Sequence, residues 1–364
     1  MSAKLNRIGV LTGGGDCPGL NAVIRAVSKA AMDGGLEVVG IEDGYLGLIQ
    51  NRLRTLSNRD VSGILTQGGT ILGSSNKANP AAYAVPDGQG GWTIEDVRDQ
   101  VLAHYEQAAL DALVVIGGDG TMSGAADLIK RGMKIVGVPK TIDNDLWATE
   151  ITFGHDTAVT TATEAIDKVH TTASSHHRVM VVELMGRYAG WLALHAGVAG
   201  GADVILIPEI PFDLEKVAQK CLTRSKVGKR FTIIAAGEGA TCAGGKQFID
   251  HMDETSPDPI RLGGVGKYVA DRVEAIAKLE SRAIVLGHVQ RGGTPSAYDR
   301  VLATRFGYHA FELLMAGKFG RLVVQRDGKI DSASIEDVAG RVRTVPLDYE
   351  LLGAARAVGT CFGD

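Results

Sequence analysis

Cysteine is scarce in this chain: four in 364 residues, at Cys17, Cys221, Cys242 and Cys361, far apart and with no CxxC pair. That spacing indicates neither a disulfide framework nor a zinc module, and it fits a reducing, cytoplasmic setting. Charge of one sign is also lacking, since 38 basic residues face 42 acidic ones for a net charge of −4. No global attraction for nucleic acid or for an acidic membrane surface is encoded, so recognition of any polyanion has to be local. Nor does any apolar run approach the roughly 18 residues of a membrane span. The first residues pass from a short polar stub into a strand, and the expectation is a soluble, unexported protein with neither nucleic-acid nor membrane partners. Internal repeats and long low-complexity linkers are missing as well.

Glycine is what the chain has in excess: 48 residues, about twice the usual share. With 10 prolines, 45% hydrophobic and 22% charged residues and no three-residue glycine period, the composition is globular rather than collagen-like or disordered. The glycines must serve particular turns. Short Val/Ile-rich runs predict strands over Arg7–Thr12, Glu37–Ile41, Ala112–Ile116, Lys134–Val138, Arg178–Leu184, Asp203–Ile207, Phe231–Ala236 and Ala283–Leu286. Leu20, Val23, Ile24, Val27 and Ala31 are spaced as one buried face of a helix, and Pro18 just ahead suits a helix start. Apolar strands alternating with helices predict two doubly wound α/β domains with largely parallel sheets. In such folds ligands bind beyond the carboxyl ends of strands, where the glycine clusters fall. Ala81–Thr93 and Ala240–Pro259 read as loop-rich excursions.

Three clusters carry chemistry. Gly13-Gly14-Gly15-Asp16 follows the first strand, where bare backbone and a helix start suit a phosphate; a purely structural turn is the other reading. It is neither a P-loop nor a clean GxGxxG. Gly117-Gly118-Asp119-Gly120-Thr121 also follows a strand, and an acid between glycines there can hold Mg²⁺ while the backbone accommodates phosphates. A turn with a capping Asp remains the bland alternative. This pattern looks like one shared by kinases of sugar phosphates, NAD and diacylglycerol that lack a P-loop. Pro139-Lys140-Thr141-Ile142-Asp143-Asn144-Asp145 packs two carboxylates, a hydroxyl and an ammonium into seven residues. That grouping is costly to bury without a purpose, and a carboxylate there can deprotonate an acceptor hydroxyl; a solvated acidic loop is the competing view.

Taken in order, GGDGT, PKTIDND, Met185-Gly186-Arg187 and Gly287-His288-Val289-Gln290-Arg291-Gly292-Gly293 resemble the motif set of the 6-phosphofructokinases, from the GGGD cluster to about Arg305. The resemblance implies a MgATP-dependent glycolytic kinase phosphorylating fructose 6-phosphate at its 1-hydroxyl. It implies Asp143 as base, Thr141 on the transferring phosphoryl group, Arg187 as a further catalytic group and Asp145 arranging the same loop. Asp119 would serve Mg²⁺, and Gly14, Gly118, Gly120 and Thr121 would line the donor. On the acceptor side, Met185, Gly186 and Glu238 would hold the sugar, and Arg178, Arg282, His288 and Arg291 its 6-phosphate. Family members commonly take the equivalents of Arg178 and Arg282 from a neighbouring subunit, implying a homodimer or homotetramer. Residues 1–154 plus 290–340 would form the donor domain, and 155–289 plus 341–364 the sugar-phosphate domain, with the active site in the cleft between them.

Two departures bear on the donor. Where the family often has LGSxR, this chain has Leu72-Gly73-Ser74-Ser75-Asn76, leaving Lys77 or Lys140 to supply the cation. Gly120 is the residue that ATP users carry, where pyrophosphate users have Asp, whereas Lys140 is typical of pyrophosphate users. Because room for the nucleotide comes first, the expectation is ATP. The alternatives are a pyrophosphate-dependent enzyme, an NAD or lipid kinase, and a non-catalytic nucleotide-binding subunit. Cys17 reads as an unreactive small residue, with no basic partner visible nearby.

Overall fold

The computed structural model describes residues 5–253, 255–256 and 258–364. Its strands, in chain order, are β1 (Arg7–Thr12), β2 (Glu37–Ile41), β3 (Leu53–Leu56), β4 (Tyr83–Pro86), β5 (Trp92–Glu95), β6 (Ala112–Gly117), β7 (Ile135–Pro139), β8 (Val179–Leu184), β9 (Val204–Leu206), β10 (Thr232–Gly237), β11 (Ile249–Met252), β12 (Ile260–Leu262), β13 (Ser281–Val285), β14 (Arg321–Arg326) and β15 (Lys329–Ser334). The helices are α1 (Leu20–Asp33), α2 (Tyr45–Ile49), α3 (Arg98–Gln107), α4 (Asp119–Ile129), α5 (His155–His176), α6 (Trp191–Ala199), α7 (Leu214–Lys226), α8 (Val265–Ala277), α9 (Ala297–Met315), α10 (Ile335–Val338) and α11 (Glu350–Ala357).

Seven strands make one sheet, ordered β15-β14-β7-β6-β1-β2-β3, and four make a second, ordered β13-β8-β10-β9. The central strands β6 and β7 are buried along their whole length, which is why they read as unbroken apolar runs. Their register sets up the site. Thr12 lies beside Ile116, and Gly117 beside Pro139, so β1, β6 and β7 all end at one level. In the second sheet Leu184 lies beside Gly237, placing the ends of β8 and β10 together.

Helix α1 buries Leu20, Val23, Ile24, Val27 and Ala31 as its spacing predicts, and α9 shares that core through Leu302, Phe306 and Leu313. Each large aliphatic side chain so buried is worth about 1.5–3 kcal/mol. The two helices cross closely because Gly307 has no side chain: a Cβ there would sit 2.9 Å from both Ala26 Cβ and the Val23 carbonyl oxygen.

The structure departs from expectation in detail. Both margins of the large sheet are antiparallel, β3 on β2 and β15 on β14, and β14 itself was not foreseen. The last expected strand lies at Ser281–Val285 rather than Ala283–Leu286 because Leu286 already caps a helical turn over Gly287–Arg291. Ala81–Thr93 holds most of the β4–β5 hairpin, and the Ala240–Pro259 excursion contains β11, which pairs with β12.

Candidate active site

Five strand ends converge on one cleft. From β1, the glycine loop is tied on both sides: Gly13 N–H donates to the Ile116 carbonyl at 2.9 Å and Gly14 N–H to the Ser75 carbonyl at 3.0 Å. Gly14 has φ +77°, which only glycine adopts without strain. Its neighbours' carbonyls are taken too, that of Gly15 by the Lys140 ammonium and that of Asp16 by Arg291 Nη1 at 3.1 Å. Cys17 is wholly buried, and although folding brings Lys140 and Arg291 near it, burial dominates and pushes its thiol well up. Burial thus favours the protonated thiol; the basic neighbours were not visible in the sequence.

The GGDGT turn packs directly on this loop. Added Cβ atoms at Gly13 and Gly117 would lie 2.7 Å and 2.3 Å from the Thr121 side chain, which fills the space between the two turns. Asp119 opens α4, and its Oδ1 accepts the Gly340 N–H at 3.0 Å. Burial raises its pKa, opposed by that N–H and by Arg187. A Cβ at Gly120 meets nothing within 4 Å, so that face of the cleft is open.

Beyond β7, Lys140, Thr141, Asp143 and Asn144 are all buried. Desolvation lowers the Lys140 pKa. The Thr141 hydroxyl accepts the Asp143 N–H at 3.1 Å. Asp143 Oδ1 is buried without a hydrogen-bond partner. Asp145 is pushed up to about 7, by burial first and then by the Asp143 carboxylate. On the opposite wall, Glu238 is also pushed up to about 7 by burial and by Asp143. Its Oε1 accepts the Arg187 N–H at 3.0 Å. Gly186 and Arg187 have φ values of +138° and +49°, and a Cβ at Gly239 would collide with the Arg187 carbonyl at 1.8 Å. Three acids, Asp119, Asp145 and Glu238, thus face one arginine, with the Asp143 carboxylate beside two of them, an arrangement suited to cations and polyanionic substrate together.

Other expected residues lie elsewhere. Lys77 forms an ion pair with Asp253 at 3.1 Å across to the β11–β12 hairpin, and Asn76 is exposed. Arg187 Nη1 is held at 2.9 Å by Asp258, a partner that no motif signalled. Arg178 lies just ahead of β8 and Arg282 in the edge strand β13, both paired with Glu280 at 2.9 Å and 2.6 Å, at the strand ends away from the Asp143 loop. His288 lies in the helical turn of the GHVQRGG motif. Among the described residues no group of three or more His, Cys, Asp or Glu side chains forms a metal cage, and no helix is long and apolar enough to cross a membrane. The four cysteines are free thiols.

Residues 7–314 match the family defined as phosphofructokinase. The chain belongs to that family. It is 49% identical over 366 residues to an ATP-dependent 6-phosphofructokinase 2 of Clostridium perfringens, covering all of both chains. An ATP-dependent 6-phosphofructokinase of Spirochaeta thermophila is 48% identical, covering 98% of this chain and 97% of that one. Among solved structures, phosphofructokinase of Saccharomyces cerevisiae superposes with a TM-score of 0.75 at 32% identity, over 92% of this chain and 45% of the yeast chain. A pyrophosphate-dependent phosphofructokinase of Nitrosospira multiformis shares the fold, with a TM-score of 0.80 at 20% identity over 99% and 93% of the two chains.

Proposed function

We propose that the chain transfers the γ-phosphoryl group of ATP to the 1-hydroxyl of fructose 6-phosphate, with Asp143 as the base. The carrying observation is the Asp143 carboxylate: buried, with Oδ1 lacking any partner, and placed where the two sheets' carboxyl ends meet. An orphaned acceptor in such a position costs on the order of 1–3 kcal/mol, which a substrate hydroxyl relieves. Once that hydroxyl is bound, Asp143 accepts its proton as the oxygen attacks phosphorus, and the ADP oxygen leaves on the opposite side.

Positioning and charge neutralisation do the rest. Gly14, Gly118, Gly120 and Thr121 form the donor side, with Thr141 and the buried Lys140 ammonium beside the phosphates. Arg187 bridges to the sugar side, where Met185, Gly186 and Glu238 hold the acceptor. Burial and the Asp143 carboxylate favour the protonated form of Asp145, and a neighbouring cation opposes them. For Mg²⁺, Asp119 fits: one carboxylate at a strand end, with no cage of ligands among the described residues, is the arrangement in which Mg²⁺ keeps waters and takes substrate phosphates. When bound, the ion offsets charge on the donor phosphates.

The donor domain comprises 1–154 plus 290–340 and the sugar-phosphate domain 155–289 plus 341–364. In support, all seven strands of the large sheet come from the first set and all four of the small sheet from the second. The chain self-associates as a homodimer or homotetramer, so that Arg178, Arg282, His288 and Arg291 converge on the 6-phosphate across a subunit boundary. Supporting this are Val285 and Val289, both 62% exposed, and a stripe of exposed side chains at helical spacing along α9, Tyr298, Val301, Tyr308 and Met315. A coupled assay for fructose 1,6-bisphosphate, run with ATP and with pyrophosphate, tests the reading: product with pyrophosphate alone, or with neither donor, overturns it.

A further inference from the structure

Asn144, between the two carboxylates of the catalytic loop, has φ +54°, a left-handed conformation costing about 1 kcal/mol or more in a residue other than glycine. Bonds from outside the loop hold it there. Asn144 Oδ1 accepts the Thr152 N–H at 3.0 Å. Three further carbonyls of the loop are gripped by residues that belong to none of the motifs. Arg343 Nη1 donates to the Asn144 carbonyl at 2.8 Å, and Arg343 N–H to the Asp145 carbonyl at 2.7 Å. The Arg343 guanidinium stacks 3.9 Å from the centre of the Trp191 ring, whose Nε1–H donates to the Arg343 carbonyl at 2.9 Å.

The third carbonyl, that of Ile142, lies 2.7 Å from His155 Nδ1. A carbonyl only accepts, so His155 carries its proton on Nδ1. Its Nε2, 2.9 Å from His195 Nδ1, must then accept, and His195 is also an Nδ1–H tautomer. His195 Nε2 is left to accept from the Tyr349 hydroxyl at 3.4 Å. The row Tyr349, His195, His155, Ile142 thus has one direction, ending on the residue just before Asp143. Both rings stay neutral: burial and His195 push His155 down to about 3, and burial and Arg343 lower His195.

We propose that Arg343, Tyr349 and the His155–His195 pair form a brace that positions the Asp143 loop, His155 acting as a positioning residue through the Ile142 carbonyl. The same segment supplies Gly340 N–H to Asp119, just after β6, and Val345 N–H to Glu209, shortly after β9, so residues 340–349 bind segments that follow strands of both sheets. The inference rests on Asp143 being the base.

Two measurements on the full chain decide it. In [¹⁵N]histidine-labelled protein at pH 8, long-range ¹H–¹⁵N correlations show His155 and His195 as Nδ1–H tautomers; an Nε2–H tautomer or an imidazolium at His155 overturns the proposal. In kinetics, His155→Leu lowers kcat by about tenfold, a typical cost of a slightly misplaced base, with KM for both substrates within about twofold. His155→Asn, whose amide nitrogen takes the place of Nδ1, recovers kcat to within about threefold of the unaltered enzyme. An unchanged kcat in His155→Leu, a KM rise without a kcat loss, or equal loss in both variants overturns the brace. If His155→Leu does not fold, the tautomer spectrum still decides. Asp143→Asn, measured alongside, separates the two readings: a kcat loss under tenfold in that variant removes the base, whereas a loss of about 10²-fold or more beside a normal His155→Leu removes only the brace.

Discussion

Gly120→Asp isolates the donor assignment because the position is sterically free. A Cβ there meets nothing within 4 Å, and residue 120 lies in the first turn of α4, directly after Asp119. A carboxylate near a helix N-terminus gains about 0.3–1 kcal/mol, and leaving glycine behind in a helix gains a few tenths more. Folding stability should therefore hold or rise slightly. The catalytic effect has the opposite sign. With ATP bound against this face, the added carboxylate meets a like-charged phosphate, and like charges about 5 Å apart with an effective dielectric of about 20 repel by about 3 kcal/mol. That corresponds to a loss of roughly two orders of magnitude in kcat/KM for ATP. The assay is steady-state turnover with ATP varied at saturating fructose 6-phosphate, paired with a thermal melt of the same preparation. An undiminished kcat/KM for ATP in a variant that melts normally would refute the placement of ATP against Gly120.

Asp143→Asn keeps the shape and removes the base; kcat should fall by about 10²–10⁴ with substrate KM values little changed, and a fall under tenfold would remove Asp143 from that role. Glu238 is raised from an ordinary 4.5 to about 7, so the folded state holds a proton the unfolded chain has lost between those values. Stability falls as pH rises through that window, and Glu238→Gln should be the more stable protein at pH 8 by on the order of 3 kcal/mol, with no difference near pH 4. Chemical unfolding of ligand-free protein across that range checks it, and a pH-independent gap contradicts it. Gly239→Ala forces a methyl onto the Arg187 carbonyl, 1.8 Å from the ideal Cβ, and should raise KM for the sugar phosphate while lowering the melting temperature; normal values for both would show that the walls can separate freely. Tyr308→Asp places a charge in the exposed stripe of α9 and should lower the mass measured by light scattering if that stripe is a subunit contact.

What the sequence made legible was whatever is written locally. Buried central strands such as Val114–Ile116 are apolar on both faces and end in glycine, so their place and the clusters beyond them could be read directly. The edge strand Leu53–Leu56 and the hairpin strand Trp92–Glu95 bury little and carry no such run, so they were missed. Strand β14, RLVVQR, has only three consecutive apolar residues between charged and polar ends. The site divides in the same way. Asp143, Glu238 and Arg187 lie in motifs at strand ends, whereas His155 and His195 are 40 residues apart and Arg343 stands 199 residues from Asn144. Their meaning comes from which loop they touch, and that is a property of the folded chain. Asp258 on Arg187 is of the same kind.

The Thr121 side chain, wedged between Gly13 and Gly117, couples the histories of the two glycine turns. An alanine at Gly13 would press on the Thr121 methyl at 2.7 Å but stand 3.4 Å from its Cβ, so Thr121→Ala makes that change tolerable. An alanine at Gly117 would meet Thr121 Cβ itself at 2.3 Å, which no trimming short of glycine relieves. The two turns therefore differ in evolvability: the first can drift once residue 121 shrinks, while the second stays fixed for as long as residue 121 bears any side chain.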